Sequence, residues 1–492
     1  MLIHPNREIF LKDSNTGKIF PVYTELQFIE PKEIYEKIKK PHSFLLESSK
    51  GPENISRYSF IGADPFLLFR AKDGNAAITE KNHTRISSSH PLKKLREIIT
   101  SFKTERDYAL PPFTGGAVGM LSYDFVHYFE RLPKTALDDL KIPDADFMLY
   151  DTVIAVDHRL NKTFIISSPG AGKPGSDDWG GHYDGAVDKI TKLHEIITSR
   201  LFSKEELGGV SDTSVKASLE LKHEMGKETY MNIVKRTKEY IKAGDIFQAN
   251  LSQRVSSNLG DTDPWHIYKV LSSINPSPFA AYLDMGDYFI ASSSPERLVR
   301  VSGNMVDTRP IAGTRPRGAD AEGDRQMRND LLLNEKERAE HLMLIDLERN
   351  DLGRISDYGT VKVDELMVTE DYSHVIHIVS NVKGTLAKGK DCFDVIKATF
   401  PGGTITGVPK VRCMEIIDEL EPVTRGPYTG SLGYIDFNGD MDLNIIIRTF
   451  VIKDGKAYVQ AGAGIVADSD PEREYYETLK KAEALIKTLE ML

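Results

Sequence analysis

Residues 456–492 read KAYVQAGAGIVADSDPEREYYETLKKAEALIKTLEML. The stretch opens on a strand-like run, 457–461, and continues into Gly462-Ala463-Gly464-Ile465-Val466-Ala467. Glycines placed this way after a strand imitate the turn that receives a dinucleotide pyrophosphate. That turn works only inside a closed strand–helix–strand unit. Only 25 residues follow Ala467 (492 − 467), enough for one helix and no second strand, so the unit is not expected to close. Asp470 suits the N-cap of that helix and Pro471 its first position. The dinucleotide reading is set aside.

Working outward, the same mixture recurs. Tyr230, Ile233, Val234, Thr237 and Ile241 follow helical spacing, with Gly244 as the stop. Strands are expected at 246–256, 279–283, 288–292, 374–383, 429–437 and 443–452, and one long helix at about 323–347. In the N-terminal half, 43–48, 57–61 and 66–70 read as strands punctuated by Gly51, Pro52 and Pro65. The runs 147–156 and 163–167 flank DHRLNK, a hairpin signal. Two polar stretches, 167–185 and 203–216, read as linkers around a helical pattern of Val187, Ile190, Leu193, Ile197 and Leu201. The order shows no regular βαβ alternation and no repeat. It predicts an α+β architecture with much antiparallel sheet, divided into regions 1–205 and 222–492.

The chain has 492 residues, which by length alone would suggest about three domains. A chain of this size buries a large core without staples. Two cysteines, Cys392 and Cys413, exclude a disulfide scaffold. The net charge of −10 argues against a general nucleic-acid binder. The start, MLIHPNREIF, has no leader pattern and no run approaches a membrane span, so a cytoplasmic protein is expected.

Several chemical motifs fail on inspection. Gly402 to Lys410 has phosphate-loop flavour but lacks the GK[ST] ending. His374 and His377 lack a nearby acidic third ligand, so ordinary strand or loop histidines are the simpler reading. Carboxylate pairs say more. Glu337 and Glu340 share one helix face, as do Glu474 and Glu477, with Lys481 a turn beyond. Two such helices facing one cavity would suit a hard divalent cation, although solvated helix faces show the same spacing. Thr404, Tyr428, Arg448 and Gly464 lie in or beside glycine-rich loops, where backbone N–H groups can approach an anion. Arg448 ends an apolar run and needs a partner, either a ligand or a core carboxylate.

These residues carry a resemblance. GDIFQANLSQR (244–254), SSPERLV (293–299), TRPIAGTRPRG (308–318), NEKERAEHLMLIDLERNDLGR (334–354), FPGGTITGVPK (400–410) and AGAGIVADSDPEREYYET (461–478) are similar to the chorismate-utilising enzymes. Within them, the chain resembles the large subunit of anthranilate synthase and its relative, aminodeoxychorismate synthase component I. LLESS (45–49) and RYSFIGADP (57–65) resemble the regulatory N-terminal part of anthranilate synthase. The resemblance implies large antiparallel sheets packed as a sandwich with helices outside. It implies Mg²⁺ held by Glu340 and Glu477, supported by Glu337 and Glu474. It implies substrate binding by Tyr428, Arg448, Gly462, Gly464, Lys481 and Thr314. Thr404 would complete the pocket, and His377 would donate a proton to the departing C4 hydroxyl.

Isochorismate-forming relatives activate water with a lysine where this chain has Gln248. A neutral amide cannot take that proton, which disfavours water as the nucleophile, whereas ammonia needs no such base. The PIAGT motif places Ala312 where many aminodeoxychorismate synthases have a nucleophilic lysine. Both features favour anthranilate synthase. TITG (404–407), MDLNIIIRT (441–449) and NPSPFAAY (275–282) look more like aminodeoxychorismate synthase. A third alternative, a non-catalytic amino-acid-binding regulator, would be expected to lose the carboxylates or Arg448. The resemblance also implies a tryptophan site at Glu47, Ser48, Asn275, Pro276 and Pro278. Feedback-inhibited relatives have Tyr-Met where this chain has Phe279-Ala280, and loss of the Met contact removes roughly 1–3 kcal/mol. Weak tryptophan inhibition is expected. No glutaminase nucleophile signature occurs, so a separate glutamine amidotransferase subunit is implied as ammonia donor, alongside the substrate chorismate.

Overall fold

The glycine run that opens the sequence reading forms the end of the strand Lys456–Ile465, and the helix Pro471–Glu490 follows with Asp470 capping Arg473 N. The strand pairs antiparallel with Gln248–Asn258, Asn250 opposite Gly464. The computed structural model describes residues 1–48, 56–81, 83–102, 104–172, 175, 177–199, 221–318, 320–371 and 375–492. Gly51, Pro52, Leu201, His374 and the expected linker 203–216 lie outside them.

Among the described residues the strands form two 12-stranded antiparallel sheets. Both sheets contain strands from regions 1–205 and 222–492. In the first, Ser43–Glu47 pairs with Phe279–Asp284. In the second, Gly116–Leu121 pairs with Ser431–Asp436. The two regions therefore share both sheets.

The sheets pack face to face. Phe44, Phe60, Val153, Ile166 and Ile290 of the first meet Val118, Met120, Met148, Leu432 and Tyr434 of the second. Aromatic rings knit this layer. Phe60 and Phe113 meet edge-on at 5.5 Å, and Phe44 and Tyr150 at 4.9 Å. Such pairs add about 0.5–1.5 kcal/mol each beyond their burial. Helices cover the outer faces. Ile34, Tyr35, Ile190, Trp265 and Leu485 pack on the first sheet. Leu92, Leu95, Phe393 and Ile417 belong to the core on the far side of the second. The predicted sandwich is the observed architecture.

Four expectations change. The run 147–156 is two strands, Ala145–Tyr150 in the second sheet and Thr152–Asp157 in the first. The run 443–452 likewise splits into Met441–Ile445 and Thr449–Lys453, in different sheets. The long helix is two, Ala321–Leu333 and Glu335–Gly353, because the Asn334 side chain caps the second by accepting from Glu337 N. The expected linker at 167–185 also contains the start of the helix Trp179–Thr198, capped by Asp178. The DHRLNK hairpin forms as read, with Lys162 opposite Asp157. Gly244, at φ 84°, ends the helix Lys227–Ala243. No described helix is long and apolar enough to cross a membrane.

Candidate active site

Two links between the sheets lie side by side. Residues 295–296 join Tyr288–Ser294 to Arg297–Ser302, and residues 446–448 join Met441–Ile445 to Thr449–Lys453. Ile445 N donates to Glu296 O at 3.0 Å, and Ser293 N to Arg448 O at 3.1 Å. A third segment joins them, with Thr429 N donating to Ile446 O at 2.8 Å. Arg448 has φ 51° and Thr429 φ 60°. Left-handed backbone at such residues costs on the order of 1–3 kcal/mol and persists where its surroundings over-determine it.

Sequence reasoning missed Glu296, which is only 7 % exposed. Burial pushes its carboxyl up to about 7, opposed by the Thr404 hydroxyl, the Arg448 charge and the Ile311 N–H. The signal was present. Ser292-Ser293-Ser294-Pro295 ends an apolar run with small polar residues, and Glu296 then precedes the buried strand RLVRVS. An ionisable group buried there needs partners.

His377 is 2 % exposed. Its Nδ1 lies 2.9 Å from Thr314 Oγ1 and 3.4 Å from Gly313 O. Burial, aided by the Arg448 charge, pushes it down to about 4. The ring is thus neutral near pH 7 and acts as a hydrogen-bonding group. Glu296, raised to about 7, is a second group near Arg448 that can hold a transferable proton. Beside them, Arg315 Nη1 donates to Glu337 Oε1 at 3.2 Å.

The other wall is built on Gln248–Asn258 and Lys456–Ile465. A Cβ at Gly464 would overlap the Gln248 amide, so glycine leaves the room that the amide fills. Gln248 Oε1 is buried without a hydrogen-bond partner among the described residues. A Cβ at Gly462 would lie 2.8 Å from the Tyr428 hydroxyl, which puts that hydroxyl against the glycine strand. Lys481 Nζ donates to Gly462 O at 3.1 Å and pairs with Glu477 at 2.9 Å. Arg425, ion-paired to Glu421, stands 5.7 Å from the Tyr428 ring and also donates to Ile405 O at 3.1 Å. It thereby ties this wall to the Thr404 turn.

Thr314, His377, Arg448, Thr404 and Glu337 gather around Glu296 and Gly313, while Gln248, Gly462, Gly464, Tyr428, Lys481 and Glu477 gather along the glycine strand. The two carboxylate pairs lie on different helices. Glu337 and Glu340 lie on Glu335–Gly353, which packs on Val375–Thr385 and Ile311–Pro316. Glu474 and Glu477 lie on Pro471–Glu490, which packs on Lys456–Ile465 and Lys227–Ala243. Among the described residues no group of three His, Cys, Asp or Glu is placed to hold a metal. Four carboxylates on two helices are donors of the kind Mg²⁺ takes.

A separate cavity of about 490 Å³ is lined by Glu47, Ser48, Pro278, Phe279, Ala280 and Arg297, among others. Asn275 and Pro276 do not line it. Glu47 is 3 % exposed and already accepts from the Tyr268 hydroxyl at 2.6 Å. Arg297 and Asn444 of this cavity are chain neighbours of Glu296 and Ile445 at the site.

The chain matches the chorismate binding enzyme family over residues 41–487 and belongs to it. It is 44% identical to anthranilate synthase component 1 of Acetivibrio thermocellus, over 98% of this chain and 97% of that one. It is 43% identical to aminodeoxychorismate synthase component 1 of Bacillus subtilis, over 93% and 94%. Its fold superposes on anthranilate synthase component I from Streptococcus pneumoniae with TM-score 0.76 at 33% identity, covering 93% of this chain and 97% of that one.

Proposed function

We propose that this chain is the synthase subunit of an anthranilate synthase. It joins chorismate and ammonia, with loss of water and then pyruvate, in the cytoplasm. Gln248 carries the reading. Its amide nitrogen lies over Gly464, and its carbonyl oxygen is a buried acceptor with no partner among the described residues, suited to an N–H of ammonia. It offers no base to water. Arg448 and the Tyr428 hydroxyl hold substrate carboxylate, and Lys481 adds positive charge at the glycine wall. Ammonia forms the C2–N bond as the C4–O bond breaks, with the ring double bonds shifting between. Glu296 gives its proton to the departing oxygen, which leaves as water, and the nitrogen returns a proton to Glu296. The aminodeoxyisochorismate so formed loses pyruvate and aromatises. Neutral His377 and Thr314 hold the ring face.

Mg²⁺ remains a proposed cofactor on the carboxylate chemistry alone. It would neutralise ring-carboxylate charge when bound. Both cysteines are buried, and burial pushes the Cys413 thiol up to about 12, so neither is a glutaminase nucleophile. Ammonia from glutamine would therefore come from a separate amidotransferase subunit.

One assay tests the reading. The purified chain with chorismate, Mg²⁺ and ammonium is expected to yield fluorescent anthranilate and pyruvate. Glutamine should not replace ammonium, and EDTA or Glu340→Gln should stop turnover. Glutamine-driven turnover by the chain alone would refute the split. A 4-amino product that yields p-aminobenzoate only after a lyase is added would favour aminodeoxychorismate synthase. That second reading draws on Phe279-Ala280 and the 43% identical relative.

Tryptophan is expected to bind the second cavity weakly. Ala280 leaves an apolar wall short, and Glu47 is already engaged by Tyr268. Calorimetry showing low-micromolar or tighter binding would overturn this.

A further inference from the structure

Lys410 ends the phosphate-loop-like run, yet its amine faces the protein interior. The side chain is 15 % exposed, and Nζ donates to Asp351 Oδ2 at 2.7 Å, Pro401 O at 2.9 Å and Thr399 O at 3.2 Å. Three acceptors match the three N–H bonds of one ammonium. Asp351, 3 % exposed in its side chain, lies near the end of the helix Glu335–Gly353. Pro401 stands three residues before Thr404. Between these points Gly403 rests directly on Leu347 of the same helix, with no room for a Cβ. On the other flank Arg425 holds Ile405 O at 3.1 Å. The Thr404 turn is thus pinned on one side to a helix and on the other to a buried ion pair.

We propose that Lys410 is a positioning residue for the reaction: through Asp351 and the carbonyls of Thr399 and Pro401 it locks the helix Glu335–Gly353 to the Thr404 turn, which packs through Gly402 on Leu298 and Ile445, and so fixes that turn beside Glu296. The inference rests on the reading that this site converts chorismate. Lys410 acts through Thr404 and touches no substrate. A compact ammonium serves three convergent acceptors, whereas a planar guanidinium fork does not. Without the ammonium, Asp351 is left buried and uncompensated.

The test compares wild type, Lys410→Met, Asp351→Asn, the double variant and Lys410→Arg in steady-state assays with chorismate and ammonium, with circular dichroism to check folding. Misplacing a catalytic contact predicts a kcat loss of about 10–100-fold in Lys410→Met. The KM for chorismate should stay within about threefold, as for a contact that matters at the transition state. The double variant should lose no more than Lys410→Met alone, and Lys410→Arg should recover only part of the rate. A folded Lys410→Met with wild-type kcat, or a loss confined to KM, overturns the inference. If Lys410→Met does not fold, folded Asp351→Asn with wild-type kcat overturns it equally. A wild-type chain inert toward chorismate would instead overturn the functional reading, and this inference with it.

Discussion

Glu296→Gln is expected to lower kcat by about 10²–10⁴-fold, the range lost when a positioned proton donor is removed. Glutamine keeps the size and one acceptor oxygen, so substrate binding should persist. The wild-type pH profile supplies the second readout. Burial raises the carboxyl to about 7, so it holds its proton below that value and gives it up above. An acid catalyst of this kind predicts that kcat/KM falls as pH rises through about 7. The variant should lose that limb along with the rate. Linkage has the same sign for the fold. A carboxyl raised on folding lends stability that is present at low pH and is lost as pH rises through its folded value. Glu296→Gln should therefore unfold no earlier than wild type in alkaline buffer. Pyruvate release and thermal melts across the neutral range check both. A surviving alkaline limb in the variant would remove Glu296 from the acid role.

Arg448→Gly should separate stability from activity. Glycine adopts φ 51° without strain, so the link between the sheets should survive and the melting temperature should hold. The guanidinium is gone, and with it a bidentate partner for substrate carboxylate. Truncating one side of a desolvated charge pair costs about 2–5 kcal/mol, so kcat/KM for chorismate should fall by at least about 30-fold, and more with full desolvation. Arg448→Lys keeps the charge but not the fork, and should lie between. Removing the charge also lifts one of the two influences that lower the proton affinity of His377. The His377 resonance, followed by NMR titration, should then shift at higher pH than in wild type. Wild-type kcat/KM in Arg448→Gly would show that the residue serves only the fold.

Local chemistry was legible where it is local. Gly244 as a helix stop, Asp470-Pro471 as a helix start and DHRLNK as a hairpin all form as read. The sandwich followed from antiparallel signals together with the family motifs. The sheet switches were hidden, because strands such as Ala145–Tyr150 and Thr152–Asp157 are buried along their whole length and read as one apolar run. A strand covered on both faces has no period whose interruption could be noticed. The same blindness hid Glu296, which lies at such a switch. Arg448 lies at another and was found because a charge closing an apolar run stands out. The carboxylate spacing placed each pair on one helix, and spacing within a helix carries no information about which helices face each other.

The shared sheets have a consequence for synthesis. The first half of the chain emerges from the ribosome with Ser43–Glu47 and Gly116–Leu121 as raw edges, since each pairs with a strand from the other half. The partner Phe279–Asp284 comes later, and Ser431–Asp436 begins 310 residues after Leu121 (431 − 121). At cellular elongation rates that leaves an apolar edge unpaired for roughly tens of seconds. Unpaired edges of this kind template aggregation. Yield of soluble protein should therefore depend on the pace of translation and on chaperone supply more than on the stability of the finished molecule.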